Sequence, residues 1–149
     1  RIFTRNVEEN RVKGVSLFPV ALGSKPGRAT LSLGSRSGLA RIVDEAEEAP
    51  GERIEVEVVT LDGVVKEQGL GRIDLMKIDV EGFEYEVLLG GRDAMRITHR
   101  IVVEYDRPEL HEAIRRFLGE FGFELVLDYT AHAYFVKGRA VPQPGVGSA

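Results

Sequence analysis

Runs of apolar residues separated by polar turns predict a mixed α/β fold. The strand-like runs are short and rich in β-branched residues, and they cover residues 15–22, 29–33, 54–59, 73–80, 101–103, 123–129 and 133–137. Helical spacing, with apolar residues three or four positions apart, covers residues 2–13, 83–89 and 106–121, and a short helix or turn is expected at 63–69. Apolar and acidic positions alternate in strand 54–59, so we interpret it as an edge strand with one solvated face.

Turn residues predict how some of these strands pair. The turn signal Ser24-Lys25-Pro26-Gly27 separates strand 15–22 from strand 29–33, and we expect these two strands to form a hairpin. A second short turn, Thr130-Ala131-His132, joins the last two strands. It predicts an antiparallel hairpin at the end of an otherwise alternating pattern of strands and helices.

Two stretches are interpreted as lying outside the regular elements. Residues 34–52 are rich in glycine, serine and acids, so we expect a mobile loop with room for a helical turn at 43–49. Residues 139–149 read as a disordered tail after the last strand. One domain over residues 1–138 is therefore predicted.

The amino-acid composition is ordinary for a globular domain. It excludes some classes of function but does not point to any one of them. The chain has 149 residues, of which 43% are hydrophobic and 30% charged, with a net charge of -4. Its 20 Lys and Arg residues are scattered, so neither a nucleic-acid footprint nor a polybasic membrane patch is expected. Cysteine is absent, which excludes disulfides, thiolate metal sites and a cysteine nucleophile. No apolar run is long enough for a membrane span or a signal peptide, so a cytoplasmic location is expected by default.

The candidate chemistry lies where two predicted strands end in charged residues. Asp79 and Glu81 follow strand 73–80, Lys77 lies on the same strand face as Asp79, and Glu104 ends strand 101–103. Ligands of open α/β sheets bind beyond the carboxyl ends of the strands. Asp79 and Glu81 are therefore the candidate catalytic residues, with Lys77 and Glu104 as substrate contacts or supporting residues.

Structural roles are open for each of these side chains. Asp79 could cap the helix at 83–89 while Glu81 pairs on the surface, and Lys77 could orient Asp79 or Glu104 through a buried ion pair. Glu104 could approach Asp79 and raise the pKa of one carboxyl, or it could lie exposed at its strand end. Clustered carboxylates could also hold a divalent cation, but no metal site is predicted because no His or Asn lies at a convincing position. The three histidines are isolated and interpreted as solvated: His99, His111 and His132.

The motif Lys77-Ile78-Asp79-Val80-Glu81-Gly82 also resembles the signature of a known family, the FkbM family of S-adenosylmethionine-dependent methyltransferases. The resemblance rests on Lys77-Ile78-Asp79-Val80-Glu81-Gly82, preceded by Ile73-Asp74-Leu75-Met76 and followed by Glu84, Glu86-Val87-Leu88 and Gly90. Further agreement, in the same order along the chain, comes from Asn6, Asn10, Ala21-Leu22-Gly23, Thr60-Leu61-Asp62 and Val102-Val103-Glu104. The resemblance covers residues 2–137.

The resemblance implies a Rossmann-like class I methyltransferase sheet with a C-terminal antiparallel hairpin. It further implies O-methylation of a hydroxyl on a sugar or secondary metabolite, with S-adenosylmethionine as the donor. Asp79 and Glu81 would lie at the reacting centre, and Ala21 and Leu22 would line an apolar slot for the donor's adenine. A carboxylate there would position the hydroxyl or take its proton.

The same resemblance predicts an N-terminally truncated domain. The family's glycine-rich donor loop and the acid that ends its second strand should precede Arg1, and without those strands the sheet would be split or locally rearranged. The competing hypothesis is a non-catalytic remnant that binds no donor. A carboxylate–metal hydrolase on a Rossmann-like sheet is a third, less favoured hypothesis.

Overall fold

The computed structural model describes residues 2–33, 40–43, 52–105 and 108–138, which form two sheets and the helices beside them. The helices are α1 (Ile2–Glu9), α2 (Leu61–Glu67), α3 (Glu84–Leu89), α4 (Arg92–Ile97) and α5 (Pro108–Gly119). The strands are β1 (Ala21–Leu22), β2 (Gly27–Leu33), β3 (Ala40–Val43), β4 (Glu52–Val59), β5 (Met76–Ile78), β6 (Arg100–Glu104), β7 (Phe123–Tyr129) and β8 (His132–Lys137). The predicted mixed α/β class is confirmed.

The first sheet has the strand order β1-β4-β2-β3. Strands β1 and β4 run parallel, with Ala21 opposite Val58, whereas β2 is antiparallel to both β4 and β3. The predicted hairpin between strands 15–22 and 29–33 is wrong, because β2 pairs with β4 and β3 and the first strand is reduced to Ala21–Leu22. The edge position predicted for strand 54–59 is also wrong, since β4 lies between β1 and β2.

Part of the predicted loop is a strand. β3 lies within residues 34–52 and pairs with β2, so backbone hydrogen bonding replaces the expected loop at that point. Residues 44–49 of the helical turn considered there lie outside the described residues, as does the predicted tail at 139–149.

The second sheet has the strand order β5-β6-β8-β7. Strands β5 and β6 are parallel, with Ile78 opposite Val103, and β8 is antiparallel to both β6 and β7. Strand β5 is shorter than the predicted run 73–80, and Ile73 forms a separate bridge with Thr98. The described strands thus form two four-stranded sheets, and a split or locally rearranged sheet is what the family resemblance implies for a truncated domain.

One face of the second sheet carries the core. The apolar sides of α3, α4 and α5 pack on the inward residues of β5, β6 and β8, and the fully buried members include Leu88, Met95, Ile101, Val103, Ile114, Leu118 and Phe135. The predicted period of α5 is confirmed, since Ile114, Phe117 and Leu118 are buried. Each large buried side chain contributes about 1.5–3 kcal/mol to folding, so this layer fixes the strand ends from which the site is built.

Asp62 and two glycines join the first sheet to this helical layer. Asp62 follows β4 and accepts hydrogen bonds from the backbone N–H groups of Asp93 (3.1 Å) and Ala94 (2.8 Å) at the start of α4. Its own N–H donates to the carbonyl of Gly90 at 3.0 Å. Gly90 in turn lies so close to Gly23 that an added Cβ would be 2.2 Å from the Gly23 carbonyl oxygen. The end of β1 is thereby held against the end of α3.

Candidate functional site

A cleft of 320 Å³ lies between the end of β1 and the end of β5. Asp79 and Glu81 line it together with six apolar residues: Val20, Ala21, Leu22, Leu31, Val80 and Phe83. Sequence reasoning proposes Ala21 and Leu22 for the donor and Asp79 and Glu81 for the reaction, and the structure brings these four residues to one cavity. Leu22 belongs to the parallel pair β1 and β4, whereas Asp79 directly follows β5 of the other sheet.

The acids reach the cleft through a tight turn. Strand β5 ends at Ile78, and the chain then reverses at Glu81 and Gly82, whose φ angles are 52° and 96°. Two consecutive positive φ angles are typical of a type I′ turn, which favours glycine at the second position and tolerates few side chains at the first. Asp79 does not cap α3, because the N-cap residue is Phe83 and no side chain caps it. The capping role considered for Asp79 is therefore wrong.

Lys77 sets the charge of Asp79. Its Nζ donates a hydrogen bond to Asp79 and lies 3.4 Å from Oε2 of Glu104. The hydrogen bond from Lys77 holds the pKa of Asp79 below its usual range, against a smaller opposing effect of burial, and the same bond raises the pKa of Lys77. Asp79 is thus an ionised carboxylate and Lys77 an ammonium group.

Two details of the predicted charge cluster are wrong. The ion pair between Lys77 and Asp79 exists but is not buried, since 52% and 39% of the two side chains are exposed. The approach of Glu104 does not raise the pKa of Asp79. The pKa of Asp79 is lowered, and the hydrogen bond from the Lys77 cation is the largest influence on it.

His132 extends this cluster, although it is predicted as solvated. Its Nε2 lies 3.1 Å from Oε2 of Glu104, and its Nδ1 lies 2.8 Å from the carbonyl oxygen of Thr130. Because a carbonyl only accepts, Nδ1 carries a hydrogen and donates it. Strand pairing explains the contact, since Glu104 and His132 are direct partners in the ladder of β6 and β8. We call Lys77, Asp79, Glu104 and His132 the charged row.

His111 also has partners that the sequence does not reveal. Its ring is 4.7 Å from the ring of Tyr105, and its Nε2 is 3.1 Å from Oδ2 of Asp128 but makes no hydrogen bond. The Tyr105 hydroxyl donates to Oδ1 of Asp128 at 2.5 Å, and this bond raises the pKa of Tyr105. His99 is exposed, as predicted.

A second, more polar cleft of 430 Å³ adjoins the first and shares Leu22 and Phe83 with it. Its charged lining comes from Lys25, Arg28, Glu55 and Glu86, with Arg28 and Glu55 ion-paired. The two clefts therefore differ in chemistry, with apolar walls and two acids in the first and both signs of charge in the second.

Two features are absent from the part of the chain that the structure describes. No three His, Asp or Glu side chains among those residues are grouped closely enough to hold a metal ion. Within the same ranges, none of the helices has the length and apolar content needed to span a lipid bilayer.

Comparison with known proteins agrees with the motif around Asp79. The methyltransferase FkbM domain model matches residues 6–125. Relatives include the 2-O-methyltransferase NoeI of Sinorhizobium fredii, 37% identical over 75 residues that make up 50% of this chain and 28% of that protein. The methyltransferase sdnD of Sordaria araneosa is 36% identical over 86 residues, or 51% of this chain and 33% of that protein.

The 31-O-demethyl-FK506 methyltransferase FkbM of Streptomyces tacrolimicus is 52% identical over 44 residues, which make up 30% of this chain and 17% of that protein. The chain spans a third or less of the length of these three relatives. No solved structure matches it significantly. Because the domain model covers most of the sequence, the chain belongs to the FkbM methyltransferase family.

Proposed function

We propose that the chain carries the reacting centre of an S-adenosylmethionine-dependent O-methyltransferase, with a hydroxyl of a sugar or secondary metabolite as acceptor. The observation that carries the proposal is the single cleft lined by Ala21 and Leu22 on one side and by Asp79 and Glu81 on the other. One relative is named a 2-O-methyltransferase and another a 31-O-demethyl-FK506 methyltransferase, and both names support a hydroxyl acceptor.

The strand arrangement supports a Rossmann-like class I methyltransferase sheet. In the order β5-β6-β8-β7, two parallel strands are followed by an antiparallel strand placed between β6 and β7. This is the arrangement expected of such a sheet with a C-terminal antiparallel hairpin. The carboxyl ends of β5 and β6 then form the edge at which a ligand would bind.

The cleft is suited to part of the methyl donor. Apolar walls at Ala21, Leu22 and Phe83 fit an adenine ring, and Asp79 and Glu81 in the same cleft fit an acceptor hydroxyl that donates a hydrogen bond. When bound, the donor supplies an activated methyl group on a sulfonium, which is already a good leaving group. The chain's own residues are then left with the tasks of alignment and proton handling.

We assign Asp79 to the positioning of the acceptor hydroxyl. An ionised carboxylate accepts the hydroxyl hydrogen and so directs an oxygen lone pair toward the methyl carbon. Lys77 keeps the pKa of Asp79 low, which makes Asp79 a weak base at neutral pH. Orientation is therefore its main contribution until the oxygen–methyl bond forms. The hydroxyl proton becomes strongly acidic as that bond forms and then passes to the Asp79 carboxylate. Glu81 lines the same wall as a second acceptor contact.

The first test is calorimetric titration of S-adenosylhomocysteine into this chain and, where its gene encodes upstream residues, into the extended chain. Binding to either form supports the methyltransferase. Binding to neither refutes it and favours a non-catalytic remnant that holds no donor.

The second test compares Asp79→Asn with Asp74→Asn in whichever form binds, using a labelled methyl donor and a panel of hydroxyl acceptors. Asp74 is an exposed aspartate that pairs with Arg72 outside the cleft, so it controls for the chemistry of the substitution. We expect Asp79→Asn to lose about 100-fold in turnover with nearly unchanged affinity for S-adenosylhomocysteine, and Asp74→Asn to retain both. Equal turnover in parent and Asp79→Asn removes Asp79 from the reaction.

A further inference from the structure

Glu84 is a buried acid that packing does not explain. It is the first residue of α3 and only 1% exposed, which is rare for a glutamate. Its Oε1 accepts a hydrogen bond from the backbone N–H of Gly82 at 2.9 Å, whereas its Oε2 is buried without a hydrogen-bond partner. A buried polar oxygen without a partner destabilises the fold, so an apolar side chain of the same length would suit this place better.

The turn that Glu84 contacts is held in an unfavourable backbone conformation. Glu81 has a φ of 52°, a left-handed value that is unfavourable for a residue with a Cβ, and Gly82 follows with a φ of 96°. The bond that closes the turn, from Phe83 N–H to the carbonyl of Val80, is long at 3.4 Å and therefore weak. Such conformations persist only where the surroundings restrain them, and the Glu84 carboxylate supplies a restraint at Gly82.

This turn carries the acids of the proposed site. Asp79 directly precedes it, and Val80, Glu81 and Phe83 belong to it and line the cleft. A change at Gly82 would therefore redirect both acids. The geometry points to Glu84 as a positioning residue, which acts through the Gly82 N–H to hold Asp79 and Glu81 in the orientation that methyl transfer requires. The inference rests on the proposed function.

Two substitutions separate this role from packing. Glu84→Met keeps nearly the length and volume of the side chain but removes the oxygen that accepts from Gly82, and it also removes the unpartnered oxygen. Glu84→Gln keeps an Oε1 that can accept from the Gly82 N–H and replaces the unpartnered Oε2 by an amide nitrogen. Glu112→Met is the matched control, because Glu112 is an exposed glutamate on α5, away from the cleft.

Hydrogen exchange of the Gly82 amide by NMR and thermal unfolding are measured on the full chain. The kcat and KM for methyl transfer are measured in whichever form binds S-adenosylhomocysteine, with the labelled methyl donor and the same panel of hydroxyl acceptors. For Glu84→Met we expect faster exchange at Gly82, an unfolding temperature equal to or above that of the parent, and a kcat lower by about 10- to 100-fold. The KM for the donor should change little. Glu84→Gln should keep the protection of Gly82 and most of kcat, and Glu112→Met should match the parent in all three measurements.

If Glu84 only stabilised the fold, Glu84→Met would lower the unfolding temperature together with kcat. A lower kcat at an unchanged or higher unfolding temperature therefore supports a positioning role. Equal Gly82 exchange in the parent and Glu84→Met overturns the inference. A fall in kcat that follows a fall in unfolding temperature also overturns it. Exchange at Gly82 needs neither turnover nor a bound donor. Failure of S-adenosylhomocysteine to bind either form therefore refutes the proposed function, while the exchange rates still decide whether Glu84 restrains the turn.

Discussion

Replacing Gly90 by alanine should push the end of α3 away from the loop at Gly23, the residue that follows β1 beside the cleft. A Cβ at this position would lie 2.2 Å from the carbonyl oxygen of Gly23, 3.1 Å from its carbonyl carbon and 3.3 Å from Cα of Ser24. All three atoms belong to backbone, so no flexible side chain can move aside. The backbone of Gly90 itself accepts alanine, because its φ of -81° is ordinary. The effect of the substitution therefore comes from the contact alone.

The size of the effect follows from the shift that the contact demands. Ordinary van der Waals separation requires the Gly23 loop and the end of α3 to part by about 1 Å. Overpacking of this kind lowers the free energy of unfolding by about 1–3 kcal/mol, and each kcal/mol corresponds to about 2–4 °C in unfolding temperature for a chain of this length. Because Gly23 directly follows Leu22, we also expect weaker binding of S-adenosylhomocysteine in a form that binds it.

Urea denaturation of Gly90→Ala measures the change, with Gly119→Ala as its control. Gly119 ends α5 and has nothing within 4 Å of an added Cβ, so alanine there should be neutral or stabilising by up to about 1 kcal/mol. Equal unfolding free energies for the two variants would show that the Gly23 loop moves away freely, which would refute the close packing on which the prediction depends.

Two further substitutions test the core and the charged row. Leu88→Ala removes a fully buried side chain of α3 and should lower the free energy of unfolding by about 3–5 kcal/mol in urea denaturation. Leu75 is 59% exposed, so the control Leu75→Ala should change the free energy of unfolding by less than about 0.5 kcal/mol. A small effect of Leu88→Ala would contradict the assigned core. Lys77→Met should raise the pKa of Asp79, because the hydrogen bond that lowers it is lost while the opposing effect of burial remains. In the parent, the lowered pKa of Asp79 adds to the free energy of unfolding at pH values above 3.8, the ordinary pKa of an aspartate. This contribution is lost as the pH falls through the lowered pKa, and Lys77→Met should lack it. NMR titration of the Asp79 carboxyl carbon measures the shift, and an unchanged titration in Lys77→Met would show that Lys77 does not control the charge of Asp79.

The sequence predicts helices here better than it predicts strand partners. The apolar period of α5 is local information, and the residues that it selects are the ones buried against the second sheet. Strand pairing depends on distant residues, so the turn signal before Gly27 suggests a hairpin with the preceding segment, whereas β2 pairs with β4 and β3. The alternation of acids in β4 predicts a strand with one solvated face. An interior strand of an open sheet can also have one solvated face, so the pattern does not distinguish an edge strand from an interior strand.

The candidate site shows the same limit in chemical terms. Lys77 and Asp79 are two residues apart, so the period of a strand is enough to predict that they lie on one face. Glu84 is harder to recognise, because its position in the helix pattern looks like a polar surface position and its burial depends on how the Glu81–Gly82 turn directs α3. Its hydrogen-bond partner is the backbone N–H of Gly82, and the helix pattern does not show that this N–H lacks a backbone partner in the folded chain.

His132 shows where the rule of strand ends needs a correction for this topology. Ligands are sought beyond the carboxyl ends of parallel strands, and that rule finds Asp79 after β5 and Glu104 at the end of β6. Strand β8 runs antiparallel to β6, so its first residue, and not its last, lies at the same edge. His132 is that residue, and it meets Glu104 in direct register. In a sheet with one inserted antiparallel strand, the residues that begin this strand are therefore candidates for the site in the same way as those that end its parallel neighbours.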